Sequence, residues 1–176
     1  MSASIKIRHL RSISARELRE LSDVLIDCVE GGASVSFMLP ITRAKAEAFW
    51  LSVGAALVRS ERILLVAEDS VGSIVGTVQV TLNLPENQPH RGDVAKMLVH
   101  RRARRLGVGA ALLAAAEEHA QTAGKTLLVL DTVTASDGER LYARHGWQRC
   151  GVIPNYALWP NGTPCGTTIF FKSIHG

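Results

Sequence analysis

The stretch VAKMLVHRRARRLGVGAALL, residues 94–113, decides how the rest of the chain is read. Val94 to Val99 is a strand-like apolar run, and Gly107 to Ala123 is an Ala- and Leu-rich helical run. Between them Arg101, Arg102, Arg104 and Arg105 fill four of five positions. Gly107 and Gly109 stand directly behind, where glycine lets the backbone approach a ligand closely with its N–H groups pointing outward. A helix that begins there adds the positive end of its dipole. Guanidinium groups, bare amides and a helix N-terminus converging on one turn describe a site for a multiply charged phosphate. A charge run alone is more commonly a solvated loop with capping glycines, and the closeness of the glycines argues against that here. A dinucleotide-binding unit is a further option, because Gly107-Val108-Gly109 precedes a helix and Asp131 ends the next strand-like run. It fails because Leu112 stands in the third glycine's place, the loop after the strand is too long, and 176 residues barely hold two mononucleotide-binding halves. A P-loop is excluded because no Gly-Lys-Ser/Thr follows.

Working outward, Ile5 and Ile7 alternate with Lys6 and Arg8 as a short first strand. Ser14 and Glu17 have capping-box spacing. Leu18, Leu21, Leu25, Cys28 and Val29 fall on one helical face, which Gly31-Gly32 stops. A second helix runs from Thr42 to about Val58. Ile63 to Ala67 and Ile74 to Leu82 read as strands joined by the turn Asp69-Ser70-Val71-Gly72. Pro85 to Arg91 is a polar loop. After the central helix, Thr126 to Leu130 is a nearly continuous apolar run that fits a buried strand. Ser136 or Asp137 caps a short helix ending near His145-Gly146, and Thr167 to Lys172 is a last strand. The order predicts an α/β (α+β) fold of one domain spanning 1–176. Its core is a mixed, mostly antiparallel twisted sheet of about six to seven strands with helices on both faces.

Composition agrees with one packed domain: 47% of the residues are hydrophobic and 20% charged, with a net charge of +4. Three cysteines without CxxC spacing and six scattered histidines give neither a disulfide framework nor a metal site. Residues 2–11, SASIKIRHLR, lack the apolar core of a secretory signal, and no segment offers about 20 apolar residues for a membrane span. The expectation is a cytoplasmic protein with no membrane partner. The arginine cluster lacks aromatic interleaving or a DNA-binding motif, so nucleic acid is not expected as a partner.

Arg104-Arg105-Leu106-Gly107-Val108-Gly109 resembles the Q/R-x-x-G-x-G/A pyrophosphate motif of the GCN5-related N-acetyltransferases (GNAT family). Leu141-Tyr142-Ala143-Arg144-His145-Gly146-Trp147 resembles that family's FYxxxGF segment. The two stand in the family's order, with the run Thr126 to Leu130 between them. Gly31 to Met38 (GGASVSFM), Leu130-Asp131-Thr132 and Gly151 to Tyr156 (GVIPNY) are similar to segments of family members that acetylate amino-acid-like toxins of the tabtoxinine-β-lactam kind. Two departures are His100-Arg101 in place of Leu-Pro, and Arg105 where glycine is common.

The resemblance implies an acetyl-CoA-dependent N-acetyltransferase acting on the primary amine of a small molecule, with a homodimer as the assembly. A non-catalytic acyl-CoA-binding module and an acetyltransferase of protein or peptide amines are the alternatives. The amides of Arg105, Leu106, Gly107, Val108, Gly109 and Ala110, with Arg104 beside them, are expected at the phosphates. By the same resemblance, backbone groups of Leu98 and Val99 align the pantetheine and polarise the thioester, and such fixed N–H donors are worth roughly 3–4 kcal/mol each. The attacking amine arrives mostly as ammonium, with an ordinary pKa near ~10 for a lysine-like group. A general base must therefore take a proton, directly or through water. Asp93, beside the cofactor strand, and Asp131, at the carboxyl end of the next one, are the candidates, and both places are acidic in the similar proteins. Tyr142 corresponds to the family's proton donor to the departing thiolate, and Trp147 reads as core. The stretch Gly31 to Met38 reads either as a specificity loop or as a plain helix-to-helix connection. An amino-acid-like substrate also needs a cation for its carboxylate, which no sequence feature singles out.

Overall fold

The computed structural model describes residues 5–174, so residues 1–4 of the segment read for a leader lie outside the described part. The chain runs through β1 (Lys6–Leu10), α1 (Ala15–Glu30), α2 (Arg43–Val58), β2 (Arg62–Glu68), β3 (Ile74–Thr81) and β4 (Arg91–Val99). A 3-10 turn (Arg101–Ala103) leads to α3 (Val108–Thr122), followed by β5 (Leu127–Val133), α4 (Asp137–Arg144), β6 (Gln148–Leu158) and β7 (Pro164–Ser173). The strands form one seven-stranded sheet in the order β1-β2-β3-β4-β5-β7-β6. Every neighbouring pair is antiparallel except β4 and β5.

Helix α1 starts where its cap dictates. Glu17 N donates to Ser14 Oγ at 3.3 Å, and Ser14 N donates to Glu17 Oε2 at 2.7 Å. Leu21, Leu25, Cys28 and Val29 pack with Trp50 and Val53 of α2 on one sheet face. On the other face Val108, Leu112, Leu113, Ala116 and Ala120 of α3 meet Ile63, Leu65, Val78 and Val80. Strand β2 is buried from both sides, Ile63, Leu65 and Ala67 towards α3 and Leu64 and Val66 towards α1 and α2. That double burial is why the run is continuously apolar rather than alternating.

Two elements differ from the sequence expectation. Strand β5 continues to Val133, so Asp131 lies within the strand instead of ending it. Strand β6, eleven residues long, had no signal of its own. It is an edge strand exposed along most of its length, broken by register shifts at Arg149/Gly151 and Ile153/Ala157, and Asn155 has φ 54°. Without a buried face or an unbroken period, nothing in its composition marks a strand.

Gly76 sets how closely α3 approaches the sheet. A Cβ there would stand 2.9 Å from Val108 Cγ1 and 3.1 Å from the Leu98 carbonyl oxygen. Gly76→Ala is therefore expected to lower unfolding stability by about 1–3 kcal/mol in denaturant titration, by pushing on the first turn of α3.

Candidate active site

The site is opened by a failure of pairing. Strands β4 and β5 pair only through Arg91–Leu127, Gly92–Leu128 and Asp93–Val129. Beyond these, β4 stays on β3 as far as Val99, while β5 stays on β7 as far as Val133. The two strands diverge into a cleft of about 1040 Å³ lined by residues 94–99 of β4, by Asp131, Thr132 and Val133 of β5, and by Tyr142 of α4. Peptide groups alternate in direction along an antiparallel strand. His100 N donates to Val75 O at 2.9 Å, and the Leu98 carbonyl is turned to β3, close to Gly76. By that alternation the peptide groups of Val99 and Met97 turn into the cleft. The Val99 carbonyl accepts there from Arg104 Nε at 3.3 Å and from Cys28 Sγ at 3.5 Å. Of the two residues expected to align a cofactor, Val99 thus presents its backbone, and Leu98 serves as a buried core side chain.

At the mouth lies the arginine turn. Arg105 (φ 61°) and Gly107 (φ 78°) are both left-handed, and the positive φ explains why glycine is the easier residue at position 105. Gly107 caps α3 without any side-chain hydrogen bond, and the first helical bond runs from Ala111 N to Gly107 O. The amides of Val108, Gly109 and Ala110 are left without intrahelical acceptors. Only two of the four clustered arginines line the cleft, Arg104 and Arg105. Arg101 is held by Asp27, which accepts from its backbone N and from its Nε, each at 2.8 Å. Arg102 donates to Asp69 at 2.9 Å. These two fasten the turn to α1 and to the β2–β3 turn, a structural use that charge counting could not separate from phosphate binding. Hydrogen bonds and charge from Arg101 and His100 outweigh burial and hold the Asp27 carboxyl below its ordinary range.

Asp131 is exposed in the cleft, and its Oδ2 accepts from Thr167 Oγ1 at 2.9 Å. Asp93 lies apart: it is half-buried on β4, ion-paired with Arg91, and outside the cleft lining. Tyr142 is 5% exposed, tilted against Trp147 and Phe170. Burial first, and the Asp131 charge second, push its phenol pKa well above the ordinary value, so it stays protonated. Trp147 is core, its Nε1 donating to Glu117 at 2.8 Å. Sequence reasoning missed Lys96, which lines the cleft from a bulge in β4, because inside a strand-like run a single lysine reads as a solvated position. It also left open the loop after α1. That loop is bonded across to the far hairpin, Ser34 Oγ to Leu158 O at 2.6 Å and Leu39 N to Pro160 O at 3.0 Å, and so roofs the cleft.

The model of the acetyltransferase (GNAT) family matches residues 34–147. The chain belongs to the GNAT family. A relative 30% identical over 129 residues, 72% of this chain and 74% of its own length, is an uncharacterized N-acetyltransferase from the hisH–hisA intergenic region of Azospirillum brasilense. Among solved structures, one assigned as a phosphinothricin N-acetyltransferase has a TM-score of 0.81 at 19% identity, covering 98% of this chain and all of the other. YncA of Salmonella typhimurium, assigned as an acetyltransferase and solved with its cofactor acetyl-CoA, has a TM-score of 0.78 at 16% identity, covering 97% of this chain and 94% of its own. A ribosomal-protein-alanine N-acetyltransferase of Brucella melitensis has a TM-score of 0.78 at 22% identity, covering 96% of this chain and 99% of its own. At these identities the structures show the shared fold.

This GNAT protein is an acetyltransferase whose cofactor is acetyl-CoA, and the residues present fit it. The left-handed turn and uncapped α3 amides suit a pyrophosphate, and the unpaired edge of β4 suits an amide-bearing arm. When bound, the cofactor supplies an acetyl group activated as a thioester. Among the described residues there is no cluster of three or more metal-ligating side chains, and no helix is long and apolar enough to cross a membrane.

Gly107→Ala is expected to cost about 1–2 kcal/mol of stability through its left-handed φ, and to weaken CoA binding in calorimetry. Asp27→Asn is expected to loosen the turn in the same assay. Because the Asp27 carboxyl is depressed in the folded state, its stabilisation is full above the ordinary value of 3.8 and is lost as pH falls through the lower folded value. The variant should accordingly show a shallower loss of stability with acid than the parent.

Proposed function

We propose that the protein transfers acetyl from acetyl-CoA to the primary amine of a small, amino-acid-like molecule, by direct transfer with Asp131 as general base and Tyr142 as general acid. What supports this is one juxtaposition: a solvent-reached carboxylate and a phenol kept protonated by burial line the same cleft, where β4 and β5 part. Asp131 takes a proton from the incoming ammonium and frees its lone pair. Tyr142 gives its hydroxyl proton to the departing sulfur as the N–C bond forms and the C–S bond breaks. The nitrogen's second proton returns to the phenolate, and Asp131 releases the first proton to solvent. The Val99 peptide N–H faces the developing charge. Asp131 is the better base than Asp93, whose carboxylate is engaged by Arg91 outside the cleft.

The roof formed by the α1–α2 loop on the β6–β7 hairpin favours a small acceptor over a polypeptide. Segments Gly31 to Met38, Leu130 to Thr132 and Gly151 to Tyr156 resemble the tabtoxin resistance protein, so detoxification of an amino-acid-like toxin or antibiotic is the role we assign. We also propose a cytoplasmic location and, by the same resemblance, a homodimer. Val152, Ile153, Tyr156 and Leu158 of β6 are exposed apolar side chains available to a second copy.

The test is acetyl-CoA-dependent thiol release with a panel of amino acids, β-lactam toxins, polyamines and peptide N-termini. Turnover is expected with small amino-acid-like amines. Asp131→Asn should lower kcat/KM by about 10²–10⁴, and Tyr142→Phe should lower kcat with CoA affinity unchanged. Because the raised phenol pKa keeps Tyr142 protonated, activity should not fall by tyrosine ionisation up to about pH 10. CoA binding without turnover of any amine, indifferent to changes at Asp131 and Tyr142, would instead make the protein a binding module.

A further inference from the structure

The cleft contains a cation that acetyl transfer itself does not use. Lys96 stands on the bulge where the β3–β4 register shifts, with φ 52°, so its backbone leaves the regular strand and carries the side chain into the opening. Its Nζ donates to Ser36 Oγ at 2.9 Å and lies 5.9 Å from the centroid of the Phe49 ring. Ser36 is on the roof loop and Phe49 on α2, so the ammonium is gripped between three elements rather than trailing in solvent. An ammonium has three donors. Among the described residues Ser36 takes one, and no Asp or Glu forms an ion pair with it. Burial acts most strongly on this group and lowers its pKa, Asp131 opposes that, and Arg62 adds to it. Asp131 is therefore near enough to be felt without being the counter-ion. A half-buried charge with spare donors and no counter-ion is costly unless a ligand completes it.

The position says which ligand. Arg104 and Arg105 belong to the phosphate turn, and Arg140 is ion-paired with Asp137 at the start of α4, where Arg104 and Arg105 are also felt. Lys96 lies instead on the Asp131 side, where the amine must stand. We propose that Lys96 receives the carboxylate of the acceptor while Asp131 receives its amine, which makes the acceptor an α-amino acid or a close analogue carrying both groups. This rests on the transfer reading given above and adds a specificity-determining residue to it.

The experiment compares L-methionine, L-norleucine and L-phosphinothricin, each beside its α-carboxamide and its α-decarboxylated amine. Each is bound to the CoA-loaded protein in calorimetry and then assayed for acetylation. The carboxylate forms should bind at least tenfold tighter than their decarboxylated amines. Lys96→Met should weaken the carboxylate forms by about 30-fold or more, leave the decarboxylated amines within about twofold, and leave CoA affinity and melting temperature unchanged. Lys96→Arg should restore part of the preference. Carboxylate forms that bind no better than the amines, or do not bind, overturn the assignment, as does a Lys96→Met protein that keeps the preference. Amines turned over without carboxylate preference overturn the role of Lys96 and leave acetyl transfer standing. Carboxylate binding that depends on Lys96 without turnover supports Lys96 and overturns the transfer reading.

Discussion

Three backbone pairs, ending at Asp93 with Val129, are all that join β4 to β5, and the rest of the site follows from where they stop. A parallel ladder that continued would seal the sheet and use the donors and acceptors of β4 internally. Because β3 and β7 hold the two strands on diverging courses, the edge of β4 around Val99 is left with unpaired peptide groups inside a deep cleft. Such groups are expensive to leave unsatisfied. The Val99 carbonyl is served by Arg104 and Cys28. Arg104 is thereby tied to β4 at the point where the strand leaves β5.

The same opening sorts charge along its length. At the α3 end, uncapped amides, the helix dipole and Arg104 and Arg105 give a positive rim. At the β5 end Asp131 and Lys96 present one charge of each sign beneath the roof loop. Asp27 and Asp69 take up Arg101 and Arg102, so half of the arginine cluster stiffens the turn instead of binding a ligand. A count of the clustered arginines therefore overstates the electrostatic pull on phosphate, and the fold corrects it by pairing two of them.

What could be read in the sequence was whatever leaves a local mark. The Ser14/Glu17 capping box, the Gly31-Gly32 stop and the doubly buried run Ile63 to Ala67 each announce their element, because cap chemistry and burial act over a few residues. Gly107 was legible because a left-handed helix start demands it. The roles of Leu98 and Val99 were not separable, since which peptide group faces β3 depends on a register set by the bulge at Lys96. Strand β6 was hidden by exposure and by Gly151, Pro154 and Asn155. Lys96 was hidden because the residues that grip it, Ser36 and Phe49, lie outside its own segment.

We propose that the unpaired edge of β4 and the first turn of α3 together form the cofactor's seat. Residue-resolved amide hydrogen exchange with and without CoA tests it most directly. Exchange at Val99, Val108, Gly109 and Ala110 should slow at least about tenfold on binding, while Leu98, already turned to β3, should not change. Protection that spares Val99, or slowing at Leu98 in its place, would rule out this seat.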